Sequence, residues 1–389
     1  MKMSENFIPF SLPEIDEKEI NEVIDTMKSG WLTTGQKCKK FELNFSEFLN
    51  SNVYSIAINS ATAGLHLALE ALGVKEGDEV ITTPFTFTAT AEVIRYLGAD
   101  PIFVDIDLKN YNLDVEQIER SISDRTKVIL PVHFAGYPCD MTRIIEIAKK
   151  YKLFVVEDAA HALPSYHSGS LIGSQNSDVT VFSFYANKTM TTGEGGMLVT
   201  KDKKIAERAS IMRLHGINRN VFDRFTSEKP AWFYQVVAPG FKYNMTDIAG
   251  SIGIQQLKKL KHFHSRRLHL ASIYDNYLKD LPIILPPRPT QKSDHSWHLY
   301  VIRLTKDINI SRNKFIEEMH REGIGCSVHY IPLHLHEYWS NRYSLSKESF
   351  PIATEVFNNC ISLPLYTKLK DSQIEFIIRT INNIIRKYE

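Results

Sequence analysis

The chain is poor in cysteine and in excess charge of either sign, and it has no long hydrophobic run. Its four cysteines, Cys38, Cys139, Cys326 and Cys360, lie far apart, with no Cys-x-x-Cys pair and no histidines at metal-ligand spacing. That pattern argues against a disulfide framework and against an iron-sulfur or zinc centre, so no metal is expected and a reducing compartment fits. The 46 basic side chains are balanced by 45 acidic ones, for a formal charge of +1. Nothing in that balance points to a phosphate-backbone partner, and nucleic acid is not expected. No window approaches the roughly 18 apolar residues that a membrane helix requires. The opening MKMSENFIPF has no apolar core of signal-peptide length, so the expectation is a soluble cytoplasmic protein without membrane contact. No GxGxxG turn follows the first strand, which argues against a dinucleotide-binding oxidoreductase. No internal repeat or low-complexity tract is present.

What is present is length and punctuation. At 389 residues the chain is about two and a half times the roughly 150-residue domain prior, enough for two domains with sizeable cores. From Asp16, Ile20, Val23, Ile24 and Met27 recur at helical spacing and stop at Gly30, a residue suited to a left-handed helix end. A second helix carries Phe41, Phe45, Phe48 and Leu49. Short apolar runs then alternate with helical stretches: YSIAI, EVITT, IFVD, KVILPV, LFVVE, DVTVFSF and GMLVT. This is α/β punctuation, and runs that are continuous rather than alternating suit strands covered on both faces of a mostly parallel sheet. The expected division is a large α/β domain over 1–257 and a small C-terminal α+β domain over 258–389, containing strands in WHLYVIRL and CSVHYI. The charged stretch KLKHFHSRRLH reads as a solvated helix face. The final stripe Ile374, Ile377, Ile378, Ile381, Ile384 and Ile385 reads as core.

Asp158 closes the run LFVVEDAAHA, and Lys188 follows thirty positions later between FSFYAN and TMTTGEGG. An acid and a lysine delivered from two strand ends are what pyridoxal 5'-phosphate chemistry requires, one for the ring nitrogen and one for the aldehyde. A lysine is ordinarily a solvated surface charge. Here the strand end at Ser183 and the GEGG run that admits close backbone approach point to a Schiff-base role, which partial desolvation favours by lowering the amine pKa. Asp158 either caps a following helix or points into the crevice at the carboxyl end of the sheet, where it would keep a pyridine nitrogen protonated. The start of NSATAGLHLALEALG is either an ordinary capped helix or an anion site, with Ala61, Thr62 and Ser183 as a phosphate cradle. Phe87 is either core packing or a ring stacked on the cofactor. His161 either lies near the cofactor ring or supports the site by hydrogen bonding. Asn244 reads, on the residues alone, as a turn asparagine.

Together SGWLTTG, NSATAGLHLAL, GDEVIT, PVHFAGYPCDM, VVEDAAHA, FSFYANK with TTGEGGM, APGFKYNMTDI, VHYIPLHLH and SLPLY resemble the DegT/DnrJ/StrS family of nucleotide-sugar aminotransferases over nearly the whole chain. The resemblance implies the aspartate aminotransferase-like fold, type I of the pyridoxal-phosphate enzymes. It also implies a homodimer with active sites at the subunit interface, where Asn244 reaches the cofactor phosphate of the neighbouring subunit. Within the family the likeness is closest to enzymes that aminate carbon 4 of a UDP-linked keto sugar, with L-glutamate as donor and 2-oxoglutarate as by-product. Carried over residue by residue, the substrate meets Phe10, the turn Gly30, Trp31, Leu32 and Thr33, Ala61, and His329 and Tyr330. Tyr185 stands where some relatives have histidine, and Phe87 where some have tryptophan, so sugar recognition differs there. The alternatives within the family are amination at carbon 3 and sugar dehydration. The retained Lys188 and the scattered cysteines argue against dehydration.

Overall fold

The computed structural model describes residues 7–49, 52–218, 233–291 and 294–389. Two helices, α1 (Glu17–Lys28) and α2 (Gln36–Phe48), precede an alternating run. It consists of β1 (Tyr54–Ile58), α3 (Ala61–Ala71), β2 (Glu79–Thr82), α4 (Ala89–Tyr96), β3 (Asp100–Phe103), the one-turn α5 (Val115–Ile118), β4 (Thr126–Ile129), α6 (Met141–Tyr151) and β5 (Phe154–Asp158). A small hairpin of β6 (Tyr166–His167) and β7 (Ser170–Leu171) leads to β8 (Val179–Ser183), β9 (Gly196–Thr200) and α7 (Lys203–Met212).

Each of the seven apolar runs contributes a strand to one sheet, ordered β1-β9-β8-β5-β4-β2-β3. Only β9 runs against its neighbours; the other pairings are parallel. The runs are continuous because both sheet faces are covered. Ile81, Ile129 and Phe182 pack with Phe41 and Phe45 of α2 and Ile144 of α6 on one face. Val80, Val128 and Val181 pack with Leu65 and Leu69 of α3 and Ala209 of α7 on the other. Parallel strands point their carboxyl ends the same way, so Asp158 at the end of β5 and Ser183 at the end of β8 emerge at one edge of the sheet.

Beyond it, α8 (Asp247–Leu278) is a single 32-residue helix that links two cores. Its Ile254, Leu257 and Leu260 join the large core, whereas Leu270, Ala271, Tyr274 and Leu278 join a second one. The expected boundary at residue 257 therefore falls inside a continuous helix. The second core is built by β10 (Ile283–Ile284), β11 (Tyr300–Leu304), α9 (Arg312–Arg321), β12 (Cys360–Leu363) and α12 (Asp371–Tyr388), whereas α10 (Glu337–Tyr343) packs Trp339 with Ala91 and α11 (Pro351–Asn359) packs Ala353 and Val356 with Phe85 and Phe134. The sheet of the second core is the antiparallel β10-β11-β12, and the isoleucine stripe of α12 is buried against it.

Two local expectations are corrected. CSVHYI is not a strand: it touches the sheet only at Ser327, opposite Ser362. Its side chains are drawn elsewhere, His329 to the Ser362 hydroxyl and Tyr330 to His161, so the third strand is β12. The stretch KLKHFHSRRLH is not simply a solvated face, because Phe263 and Arg267 are buried. Arg267 Nη1 lies within hydrogen-bond distance of the carbonyls of Trp297, His298 and Leu365. The helix expected from Asp16 forms as α1, which leaves Ile20, Ile24 and Met27 exposed and buries Glu19 and Thr26. Glu19 is held there by Gln256 Nε2 at 2.8 Å and Lys259 Nζ at 2.7 Å, since a buried carboxylate persists only when paired.

Candidate active site

The carboxyl edge of the large sheet opens into a cavity of about 500 Å³. It gathers Ala61, Thr62, Phe87, Asp158, His161, Ser183, Tyr185, Lys188, His329 and Tyr330, ten of the residues singled out in the sequence. No helix begins after Asp158, which removes the capping alternative. Its Oδ1 accepts from the Ala160 N–H at 3.1 Å and its Oδ2 from the Thr90 hydroxyl at 2.8 Å. The adjacent Glu157, one position earlier on the strand, faces the opposite side and pairs with His133 Nε2 at 2.9 Å, fully buried. This is the period-two alternation of a strand acting on two neighbouring acids.

Lys188 is placed by a tight turn after β8. Its N–H donates to the Tyr185 carbonyl at 2.9 Å, and Tyr185 bridges Gly193. Burial lowers its amine pKa from 10.5 to about 8, against the opposing pull of the Asp158 carboxylate. Burial likewise raises the Asp158 pKa, an effect the Thr90 and Ala160 donors and the Lys188 charge oppose. Around them the histidines are neutral at pH 7. Burial first, and then the Lys188 charge, holds His161 well below its ordinary value and His329 down to about 3. Because the Ala135 N–H donates to His161 Nδ1 at 3.2 Å, the ring proton sits on Nε2, which donates to the Tyr330 oxygen at 2.9 Å. His161 therefore supports the cavity wall by hydrogen bonding. Burial raises the Tyr330 pKa, so its hydroxyl keeps its proton.

The opposite wall is the start of α3. Ser60 caps it by accepting from the Ala63 N–H at 3.1 Å, leaving the earlier N–H groups without intrahelical partners. Gly196 lets the β9 backbone lie against this turn: a Cβ there would stand 2.9 Å from the Ala61 nitrogen. Phe87, 59% exposed, is a cavity-facing ring rather than core. Asn187, next to Lys188 in the turn after β8, also lines the cavity, and its Oδ1 is buried with no hydrogen-bond partner among the described residues. A buried amine of lowered pKa, a carboxylate and a helix start suited to an anion are the groups that pyridoxal 5'-phosphate requires, and the unpaired Asn187 oxygen leaves a polar contact open in the same cavity, so the residues fit it.

The remaining sequence candidates lie outside this cavity. Phe10 packs on the His329 ring with centroids 5.4 Å apart. Asn244 Nδ2 donates to the Thr34 hydroxyl at 2.7 Å, and the Asp247 N–H is shared by the Leu32 and Thr33 carbonyls. Asn244 and the turn Gly30, Trp31, Leu32 and Thr33 thus form a second cluster on the same chain. The sequence reading missed Thr86, Thr90, Asn187 and Glu194, all of which line the cavity. The hydroxyl run in TFTAT was the available signal for the two threonines. Among the described residues no group of three metal-ligating side chains occurs, and no helix is long and apolar enough to cross a membrane.

A mostly parallel sheet flanked by helices, with a lysine and an acid meeting at its carboxyl edge, defines a fold-type I pyridoxal-phosphate transaminase. The chain belongs to the DegT/DnrJ/EryC1/StrS aminotransferase family, whose sequence profile matches residues 13–382. It is 48% identical over 98% of both chains to the uncharacterized protein MJ1066 of Methanocaldococcus jannaschii. It is 40% identical, over 98% of both chains, to the spore coat polysaccharide biosynthesis protein SpsC of Bacillus subtilis. Spr1654 from Streptococcus pneumoniae, assigned as a sugar aminotransferase, superposes in its PMP form with a TM-score of 0.91, at 36% identity over 98% of this chain and 99% of that one. The family's cofactor is pyridoxal 5'-phosphate, and the protein is a sugar aminotransferase.

The depressed amine makes a measurable prediction for the cofactor-free protein. Reductive alkylation by a small aldehyde, mapped by mass spectrometry, should modify Lys188 with a midpoint near pH 8, while surface lysines titrate near their usual ~10.4. A midpoint above pH 10 at Lys188 would contradict the assignment. The native chain then binds fewer protons than the unfolded one between those two values, so this group makes stability rise with pH across that window.

Proposed function

We propose that the protein moves the amino group of L-glutamate onto carbon 4 of a UDP-linked keto sugar, supplying an amino sugar for a surface polysaccharide. The observation that carries the reading is the convergence of Lys188, Asp158 and the α3 start on one cavity. A second, open cavity of about 850 Å³ shares Thr86, Phe87 and Tyr330 with the first, leaving room for a substrate larger than a free sugar. The likeness to SpsC supports the polysaccharide context, and the motif likeness to carbon-4 aminating enzymes supports the position.

When bound, pyridoxal 5'-phosphate supplies an aldehyde that carries the amino group and a ring that accepts electrons. The chain's own residues do the rest. Asp158 holds the ring nitrogen protonated. The N–H groups of Ala61 and Thr62, with the Ser183 hydroxyl, take the phosphate. Phe87 covers one ring face. Lys188 Nζ removes the proton from the α-carbon of glutamate and, in the second half of the cycle, delivers a proton to the sugar carbon. A positioned amine doing this is worth roughly 10² to 10⁴ in rate. Four free cysteines fit a reducing cytoplasm.

We further place the working unit as a homodimer in which Asn244 and the turn Gly30, Trp31, Leu32 and Thr33 complete the partner's cavity. If so, Lys188→Ala and Asn244→Ala proteins, each inactive, will regain activity when mixed and allowed to exchange subunits. A two-fold dimer with shared sites gives one intact site per hybrid, or about a quarter of native activity in a statistical mixture. No recovery in demonstrated hybrids would rule the shared site out. For the reaction itself, the holoenzyme should be incubated with glutamate and a panel of 3-keto and 4-keto nucleotide sugars, and the product identified by mass and NMR. Amination at carbon 4 of a UDP sugar is expected; amination at carbon 3, or on another nucleotide alone, would overturn that assignment.

A further inference from the structure

The acid that faces the cofactor ring is itself held by a chain of two buried hydroxyls. Thr90 sits in the first turn of α4, 1% exposed, with Oγ1 2.8 Å from Asp158 Oδ2. Thr86, 2% exposed, has Oγ1 2.8 Å from Thr90 Oγ1. The proton directions are forced. An ionised carboxylate only accepts, so Thr90 must donate to Asp158; its single proton is then spent, so Thr86 must donate to Thr90. Ala160 N–H occupies the other oxygen. Each Asp158 oxygen therefore has one donor fixed by the protein, which sets the plane of the carboxylate and leaves a lone pair on each oxygen for the cavity.

We propose that Thr90, oriented by Thr86, is a positioning residue that holds the Asp158 carboxylate in the plane from which it pairs with the cofactor's ring nitrogen. The segment Thr86-Phe87-Thr88-Ala89-Thr90 thus supplies both the ring that stacks and the hydroxyls that aim the acid. The inference rests on the reading of Asp158 as the ring-nitrogen partner. In this role Thr90 acts through Asp158, the group its hydroxyl is bonded to.

The test is titration of cofactor-free protein with pyridoxal 5'-phosphate, reading the dissociation constant and the visible absorption maximum, for Thr90→Val, Thr90→Ser, Thr86→Val and Asp158→Asn. Hydrogen bonds to charged groups lead to an expected roughly ten- to hundredfold weaker binding for Thr90→Val, with a shifted absorption maximum. Thr90→Ser, which keeps the hydroxyl, should bind within about threefold of the native protein, and Thr86→Val should fall between. Equal affinity of Thr90→Val and the native protein, or equal loss in Thr90→Val and Thr90→Ser, would overturn the proposal. If Thr90→Val does not fold, the Thr86→Val and Thr90→Ser pair decides: native affinity in Thr86→Val, or loss of affinity in Thr90→Ser, rejects it. Native affinity and spectrum in Asp158→Asn would instead reject the underlying role of Asp158, so the two failures are distinguishable.

Discussion

Lys188→Ala protein is expected to fold, to bind pyridoxal 5'-phosphate without covalent attachment, and to lose transamination by roughly 10² to 10⁴ or more, the range attributable to a positioned general acid-base group. The lysine lies on a turn after β8 whose backbone bonds do not use its side chain: its N–H donates to Tyr185 and Thr192 N–H closes the turn on Phe184. Removing the amine also removes a buried charge from a cavity that disfavours it, as its pKa of about 8 records, so the cofactor-free protein should not be destabilised by the loss of charge. The checks are a stopped assay with glutamate and the accepted keto sugar, thermal unfolding of both proteins, and retention of cofactor on a denaturing column after borohydride. Turnover within tenfold of native would mean that another group moves the proton.

The second large effect is expected at Asp158. In Asp158→Asn the amide cannot carry the negative charge that the proposed role, keeping the ring nitrogen protonated, requires. An opposite charge at ~4 to 6 Å is worth roughly 1 to 3 pKa units, and each unit is 1.36 kcal/mol, so catalysis should fall about 10- to 1000-fold. The effect should be on kcat more than on the KM for glutamate, because the lost charge matters most where negative charge builds on the ring. The packing cost should be small: asparagine is of similar size, its single oxygen can still accept from the Ala160 N–H, and its Nδ2 can donate to the Thr90 hydroxyl, which then turns its own proton toward Thr86. A carboxylate restored as Asp158→Glu would be misplaced by a methylene and is expected to recover little. A native kcat in Asp158→Asn, with the substitution verified, would contradict the role assigned to this acid.

Much of this arrangement was legible in the chain because strands of a parallel sheet announce themselves twice. Their apolar runs are continuous, and the chemistry falls at their carboxyl ends. YSIAI, LFVVE and DVTVFSF fix both the strands and the places where Ala61, Asp158 and Ser183 appear. CSVHYI misled because alternation of apolar residues reports a half-buried extended segment, not ladder partners; Val328 and Tyr330 are packed against Phe85 and Phe134 rather than paired in a sheet. The buried Arg267 was hidden for a related reason. A guanidinium within a run of lysines and histidines looks solvated, and only tertiary structure brings three carbonyls to it. The hydroxyl run TFTAT was the signal available for Thr90, but its partner could not be read from the sequence, since Asp158 is 68 positions away. Asn244 lies with Thr34 in this chain, and the role proposed for it requires a second subunit that no local sequence pattern reports.

The central claim is that Lys188 is the lysine to which the cofactor is joined and that an amino donor displaces it. Holoprotein reduced with borohydride, digested and mapped by mass spectrometry tests it directly, with a matched sample given L-glutamate before reduction. The account predicts the pyridoxyl mass on the peptide containing Lys188 in the first sample and its loss in the second. The label on another lysine, or a label at Lys188 that glutamate leaves in place, would contradict it.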